Sequence, residues 1–139
     1  MDRQLSGGLL LVEGDPAEAE LLARVLGPGV RIARDAAEAI AELAERRPRA
    51  LLVSDRLPGV DGLALLQRLR SNPAFAALPV VVLTGSRNPA ITQRAYALGA
   101  NSVVRKPLAF EDLRGALQEV ATYWLRRNEP AETALDSAT

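Results

Sequence analysis

The chain alternates short apolar runs with longer segments that have helical periodicity. Three runs, at residues 9–12, 50–53 and 80–83, are too short for helices and apolar at every position, which is typical of buried parallel strands. Residues 30–33 form a weaker run that contains the charged Arg31, as in an edge strand, and residues 102–104 form a short fifth run. Five strand–helix units predict an α/β fold, with helices on both faces of a doubly wound parallel sheet.

The segments between the runs carry helix start and stop signals. Asp15 is placed to cap a helix, Pro16 suits its first turn, and Glu18 completes a capping-box-like pair. Asp35 and Glu38 repeat that pattern before the second helix. Glycine and proline residues separate the helical segments. We predict helices over residues 16–26, 36–47, 63–70, 89–98 and 110–127.

Length, composition and charge limit the classes of protein to which the chain can belong. With 139 residues, 48% of them apolar and 24% charged, the chain has the composition of one globular domain. Its formal net charge of zero gives no global attraction to nucleic acid or to an anionic membrane. It has no apolar run near the roughly 20 residues of a membrane span, and its first residues lack the features of a secretory signal. We therefore expect a cytoplasmic protein with no nucleic acid and no membrane among its partners.

Missing residue types narrow the chemistry further. The chain has no cysteine and no histidine, which excludes thiol nucleophiles, zinc–thiolate sites, histidine triads and phosphohistidine intermediates of its own. Among its 17 basic residues, Lys106 is the only lysine. A lysine retained alone indicates a need for its compact ammonium group. The alternative explanation for the single lysine is a GC-biased coding sequence together with chance, and it implies no function for Lys106.

Polar side chains follow four of the five predicted strands. They are Glu13, Asp55, Thr84 and Lys106. In open α/β sheets, ligands bind beyond the carboxyl ends of the strands, so we expect these side chains to lie at one edge of the sheet. Two carboxylates, a hydroxyl and an ammonium group suit phosphoryl transfer to a carboxylate. Such a reaction needs a metal ion on the carboxylates and a cation with hydrogen-bond donors for the phosphoryl oxygens.

Three motifs resemble those of two-component receiver domains. Residues 52–62 (LVSDRLPGVDG) resemble the phosphorylation loop, while residues 82–86 (VLTGS) and 99–107 (GANSVVRKP) resemble the fourth-strand and fifth-strand signatures. The resemblance implies a flavodoxin-like receiver fold with strand order 2-1-3-4-5 over residues 9–127, between an N-terminal tail at 1–8 and a C-terminal tail at 128–139. No output domain follows in the sequence, so we expect a single-domain response regulator.

The resemblance also implies a role for each site residue. Asp55 would accept a phosphoryl group from a sensor histidine kinase or a phosphotransfer protein. Thr84 and Lys106 would contact the phosphoryl oxygens, and a cis peptide bond would join Lys106 to Pro107. The metal ligands would be the Asp55 carboxylate, the main-chain carbonyl of Arg56 and an acidic pair beginning with Glu13. Mg²⁺ is the cofactor expected, and no organic cofactor site is predicted.

The acidic pair departs from the family pattern. Glu13 matches its first position, but Gly14 stands at the second, where the family has a carboxylate that binds the metal directly. Asp15 comes one residue late, and helix capping is the favoured explanation for it. Altering partners outside the metal's own ligands typically weakens metal binding by roughly 10–100-fold. Losing a direct ligand should weaken it at least as much, unless Asp15 compensates.

The signalling side of the domain also departs from the pattern. The resemblance implies that phosphorylation is read on the face formed by the fourth helix, fifth strand and fifth helix. Val103 stands where receivers commonly carry a Tyr or Phe that moves on phosphorylation, and we expect it to be an ordinary buried strand residue. Residues 101–102 and 123–130 resemble the small regulators paired with phytochrome-type kinases. Tyr123 and Trp124 favour a homodimer through the last helix, with the helix at residues 90–98 alongside it.

Two other functions compete with phosphoacceptance. Gly14 and Val103 are consistent with a phosphorylation-independent pseudo-receiver, impaired in metal binding, that docks a protein partner. A turnover phosphatase with an aspartyl nucleophile commonly needs a second acid two residues after the nucleophile. That position is Leu57, so we expect a phosphoacceptor rather than an enzyme.

Overall fold

The computed structural model describes residues 8–106 and 110–124, and in it five parallel strands form one sheet. The strands are β1 (Leu9–Val12), β2 (Arg31–Ala33), β3 (Ala50–Ser54), β4 (Val80–Thr84) and β5 (Ser102–Arg105). Their order is β2-β1-β3-β4-β5, which confirms the predicted doubly wound sheet. The chain reverses its direction of winding between β1 and β3, where open sheets of this type bind ligands.

Helices cover both faces of the sheet. They are α1 (Pro16–Leu26), α2 (Ala36–Glu45), α3 (Gly62–Arg70), α4 (Pro89–Ala97) and α5 (Phe110–Thr122). An Asp or Asn precedes each of the first four, and its side chain accepts a hydrogen bond from a backbone N–H of the first turn. These caps, at Asp15, Asp35, Asp61 and Asn88, set the residue at which each helix begins. None of the helices in the described part of the chain is long and apolar enough to cross a membrane.

The core has two halves because successive residues of a strand point to opposite faces of a sheet. On one face, Leu10, Leu51 and Val82 pack with α2, α3 and α4. On the other, Leu11 and Leu52 pack with α1 and α5. The inner strands are thus shielded from water on both faces, and the polar residues that follow them lie at the end of the sheet.

The structure corrects several details of the sequence prediction. α2 ends at Glu45 rather than near residue 47, because Arg46 is extended ahead of the helix-breaking Pro48. A short 3₁₀ helix, Pro73–Phe75, was not predicted. Val103 is half-buried rather than buried, since β5 is an edge strand.

Some predictions fall on residues outside the described ranges. They concern the two tails, the Lys106–Pro107 bond, the last helix beyond residue 124, and the side chains of Phe110 and Leu113 in the core. These stay predictions.

Candidate functional site

Asp55 is held in place by backbone hydrogen bonds to two elements. It follows β3, its N–H donates to the carbonyl of Leu83 in β4 (2.9 Å), and its carbonyl accepts from the N–H of Gly62 at the start of α3 (2.9 Å). A Cβ atom at Gly62 would lie 1.9 Å from the carbonyl oxygen of Ser54, so only glycine allows the loop to close this tightly. The loop after β3 is therefore tied down at both ends.

Asp55 and Thr84 form what we call the acceptor pair. The Thr84 hydroxyl donates to Oδ2 of Asp55 (2.8 Å), and the N–H of Ser86 donates to the same hydroxyl oxygen (3.0 Å). Because the Ser86 amide occupies one lone pair of that oxygen, the hydroxyl proton is directed at the carboxylate. The pair thus places a hydrogen-bond donor next to a carboxylate that can act as a nucleophile.

Lys106 belongs to a second group, which we call the lysine cluster: Lys106, Glu13, Glu18 and Ser54. Its ammonium donates to Oε1 of Glu13 (3.1 Å), to the hydroxyl of Ser54 (2.9 Å) and to the carboxylate of Glu18. The Ser54 hydroxyl in turn donates to Glu13. Only 4% of the Glu13 side chain and 15% of the Lys106 side chain are exposed. The Glu13–Lys106 ion pair in this cluster is therefore largely buried, and its hydrogen bonds are satisfied.

The charges of the lysine cluster stabilise one another. Burial alone would raise the pKa of Glu13, but the hydrogen bonds from Ser54 and from the Asp15 N–H, with the positive charge of Lys106, outweigh burial and hold that pKa below its ordinary value. Burial alone would lower the pKa of Lys106, but Glu18 and Glu13 raise it above its ordinary value. Both groups are therefore charged near neutral pH.

The acceptor pair and the lysine cluster face one cavity of about 630 Å³ at the carboxyl ends of the strands. Its lining includes Glu13, Asp55, Arg56 and Lys106, and Thr84 reaches it through its bond to Asp55. The sequence thus brings its candidate residues to one place. However, the hydrogen bonds of Lys106 go to the lysine cluster rather than to Asp55.

Of the residues predicted to bind Mg²⁺, Glu13 does not fit that role in this arrangement. Both carboxylate oxygens of Glu13 are engaged, Oε1 by Ser54 and Lys106 and Oε2 by the N–H of Asp15 (3.1 Å). Asp15 caps α1, with one oxygen accepting from the N–H groups of Ala17 and Glu18. In residues 8–106 and 110–124, no group of three acidic or other metal-binding side chains comes together.

The structure leaves little room for a side chain at Gly14, where the family has a carboxylate. A Cβ atom there would lie 2.5 Å from Cδ of Pro58 and 3.3 Å from the carbonyl oxygen of Arg34. The space for a side chain at this position is therefore taken by the loop after β3. What remains for a cation is the Asp55 carboxylate and the carbonyl of Arg56, beside the cavity.

Sequence reasoning missed two members of the lysine cluster. Glu18 was assigned to a capping box, but the N–H of Asp15 donates to Glu13 instead, which leaves Glu18 for Lys106. The sequence pattern identifies Ser54 only as the last residue of a buried strand. It is a polar residue with 1% exposure at the end of a buried strand, and such a residue needs a hydrogen-bonding partner. This need for a partner is the feature of the sequence that could have identified Ser54 as part of the site.

Comparison with known proteins gives a consistent result. A family model described as "Response regulator receiver domain" matches residues 9–118. The probable methanogenesis regulatory protein FilR2 of Methanothrix harundinacea is 39% identical over 131 residues, 86% of this chain and 84% of that protein. The chain is 34% identical to response regulator MprA of Mycobacterium bovis over 94% of its own length, but spans only 55% of MprA.

Solved structures agree with the sequence relatives. The Mn²⁺-bound form of response regulator Rcp1 superposes with a TM-score of 0.80 at 30% identity, over 88% of this chain and 97% of that one. The phosphorylated cyanobacterial phytochrome response regulator RcpA gives a TM-score of 0.80 at 27% identity, over 88% and 96%.

Proposed function

Because the chain belongs to the response regulator receiver domain family, we propose that it is a single-domain response regulator that accepts a phosphoryl group on Asp55. The observation that carries this proposal is the acceptor pair, in which the Thr84 hydroxyl is directed at Asp55 from 2.8 Å. A carboxylate beside a fixed donor, at the mouth of a cavity, suits attack on a phosphoryl group whose oxygens need a donor.

The chemical step needs a donor from outside the chain, since the chain has no histidine to carry a phosphoryl group. An Asp55 oxygen attacks the phosphorus of a phosphohistidine on a sensor kinase or a phosphotransfer protein. A P–O bond forms as the P–N bond breaks, and the imidazole nitrogen keeps the electron pair and takes a proton from water. Thr84 donates to one phosphoryl oxygen, and Lys106 neutralises another once it leaves its resting partners.

We further propose that Mg²⁺ binds weakly in the resting state. The support is the engagement of both Glu13 oxygens and the contact that Pro58 makes at Gly14. The similarity to RcpA, a phytochrome response regulator, supports a phytochrome-type kinase as the class of partner. A cytoplasmic location follows from such a partner, and the chain would act as a phosphoacceptor rather than a turnover enzyme.

The test is the intact mass of the protein after incubation with acetyl phosphate and millimolar Mg²⁺. We expect the wild type to gain the mass of one phosphoryl group and Asp55→Asn to gain none. Asp61→Asn is the matched control, since the same change in the same loop keeps the cap of α3 and should leave the gain intact. Equal gains in wild type and Asp55→Asn, or no gain in either, would refute the proposal.

The steric contact at Gly14 supports a second candidate function, that of a pseudo-receiver that docks a partner without phosphorylation. Gly14→Asp combined with Pro58→Ala would restore the carboxylate and remove the ring atoms that it meets. If the wild type gains no phosphoryl group and the double variant does, the wild type has lost the reaction and the docking function is favoured. A wild type that is already phosphorylated excludes this candidate.

We also propose that the face formed by α4, β5 and α5 carries the signal and the homodimer contact. A groove on it is lined by Val104, Ala116, Tyr123 and Trp124, and the rings of the last two meet edge to face at 4.8 Å. Tyr123 is half exposed and available to a second copy. Sedimentation velocity of wild type and Tyr123→Ala tests this contact: the wild type should dimerise, more strongly when phosphorylated, and the variant should dimerise less.

A further inference from the structure

Lys106 has a partner outside the predicted site. Glu18 lies in the first turn of α1, and its carboxylate accepts a hydrogen bond from the Lys106 ammonium. The other two acceptors are Glu13 at 3.1 Å and Ser54 at 2.9 Å. An ammonium group has three N–H donors, so these three partners use all of them. To reach a phosphoryl group on Asp55, Lys106 has to give up at least one.

We propose that Glu18 is a positioning residue that retains Lys106 on Glu13 and thereby slows phosphoryl acceptance at Asp55. This inference rests on the proposed function of Asp55. Two carboxylates share one ammonium in the lysine cluster, so the cluster is negatively charged overall even though Lys106 is in it. Glu18 thus holds the cation that the phosphoryl group needs.

Glu18 differs from Glu13 in how much the fold depends on it. Glu13 is buried and also accepts from the backbone of Asp15, so its loss would disturb the end of β1. The Glu18 side chain is 38% exposed, and without it Lys106 still has Glu13 and Ser54. At the third position of a helix, glutamine is tolerated as well as glutamate. Glu18→Gln therefore weakens the retention of Lys106 and leaves the fold intact.

The experiment measures the rate of phosphorylation by acetyl phosphate with millimolar Mg²⁺ in wild type, Glu18→Gln and Glu20→Gln. Glu20 is the matched control, because it lies on the same helix, carries the same charge and pairs with Arg24 rather than Lys106. We expect Glu18→Gln to react about five-fold faster than wild type, the effect of releasing one partly exposed ion pair. Glu20→Gln should stay within about two-fold of wild type, because exposed pairs contribute little.

A second readout separates positioning from a general charge effect. Lys106 is the only lysine, so selective ¹⁵N labelling of lysine gives one side-chain ammonium signal. Before any donor is added, that signal should shift in Glu18→Gln and stay in place in Glu20→Gln. A faster reaction with an unshifted signal would overturn the positioning role, as would a rate in Glu18→Gln no higher than that of Glu20→Gln.

Failure of this inference can be told from failure of the proposed function. If the wild type is phosphorylated on Asp55 and Glu18→Gln is no faster, the positioning role alone is wrong. If neither protein is phosphorylated, both are wrong. If only Glu18→Gln is phosphorylated, retention of Lys106 by Glu18 is supported, and the proposal that the wild type accepts a phosphoryl group is wrong.

Discussion

The acceptor pair and the lysine cluster face one cavity, and in the proposed phosphoryl transfer they would supply different groups: the nucleophile with its donor, and the cation. In the acceptor pair, the neutral hydroxyl of Thr84 donates a hydrogen bond to Asp55. Among the described residues, the ion pairs that the structure shows do not include Asp55. In the lysine cluster, the ammonium of Lys106 lies against two carboxylates and a hydroxyl. Asp55 thus has a hydrogen-bond donor beside it but is not paired with Lys106. The ammonium of Lys106 is bound by the carboxylates of the lysine cluster instead. Phosphorylation would have to join the two groups.

Removal of the lysine should have the largest effect on stability. Lys106→Met leaves Glu13 buried with no opposite charge beside it, and we expect the free energy of unfolding to fall by about 3 kcal/mol. Adding Glu13→Gln should restore a good part of that loss, because the uncompensated charge is removed. Urea denaturation of the single and double variants measures both. A loss below about 1 kcal/mol for Lys106→Met would mean that the ion pair is open to solvent.

Restoring the family's carboxylate should be the next most disruptive change. Gly14→Asp sets a Cβ atom 2.5 Å from Cδ of Pro58, and overpacking of this kind costs about 1–3 kcal/mol. Pro58→Ala in the same chain should relieve most of that cost. Thermal or urea unfolding of the three variants checks this. A Gly14→Asp protein as stable as wild type would show that the loop after β3 moves aside freely.

Substitutions in the acceptor pair should destabilise the protein less than the two changes above. Thr84→Val keeps the shape of the side chain but removes the donor to Asp55 and the acceptor for the Ser86 N–H, at a cost of about 1–2 kcal/mol. Thr84→Ser keeps the hydroxyl and should retain the rate of phosphorylation, whereas Thr84→Val should react more slowly. Urea denaturation and the acetyl phosphate assay give the two readouts. Equal rates in the two variants would remove the hydroxyl from the proposed mechanism.

The smallest expected effect is on the pH dependence of stability. The lowered pKa of Glu13 gives a stabilisation that is fully present above the ordinary glutamate value of about 4.3 and is lost as the pH falls through the pKa of the folded state. The raised pKa of Lys106 gives a second stabilisation, which is fully present below the ordinary lysine pKa of about 10.4 and is lost as the pH rises through the pKa of the folded state. Unfolding free energies at acidic pH should therefore fall more steeply in wild type than in Glu13→Gln; parallel curves would contradict this.

The strand pattern and the helix caps made the fold predictable. Apolar runs such as residues 80–83 are typical of buried strands, and Asp15 and Asp35 cap the helices that follow them. The partners of Lys106 were not predictable in the same way. Glu18 suits a capping box and an ion pair equally well in sequence, and only the tertiary fold, which brings Lys106 within reach of the first turn of α1, decides between them. The contact of Pro58 at Gly14 likewise depends on the path of a loop.

The most direct test of the account follows the single lysine signal when a phosphoryl mimic is added. With lysine labelled by ¹⁵N, beryllofluoride and millimolar Mg²⁺ should shift the Lys106 ammonium signal in wild type and leave it unchanged in Asp55→Asn, because the ammonium leaves Glu13 and Glu18 for the group on Asp55. A signal that stays in place while backbone amide shifts at Asp55 show that the mimic is bound would contradict the account. Lys106 would then be a fixed part of the lysine cluster and would take no part in holding the phosphoryl group.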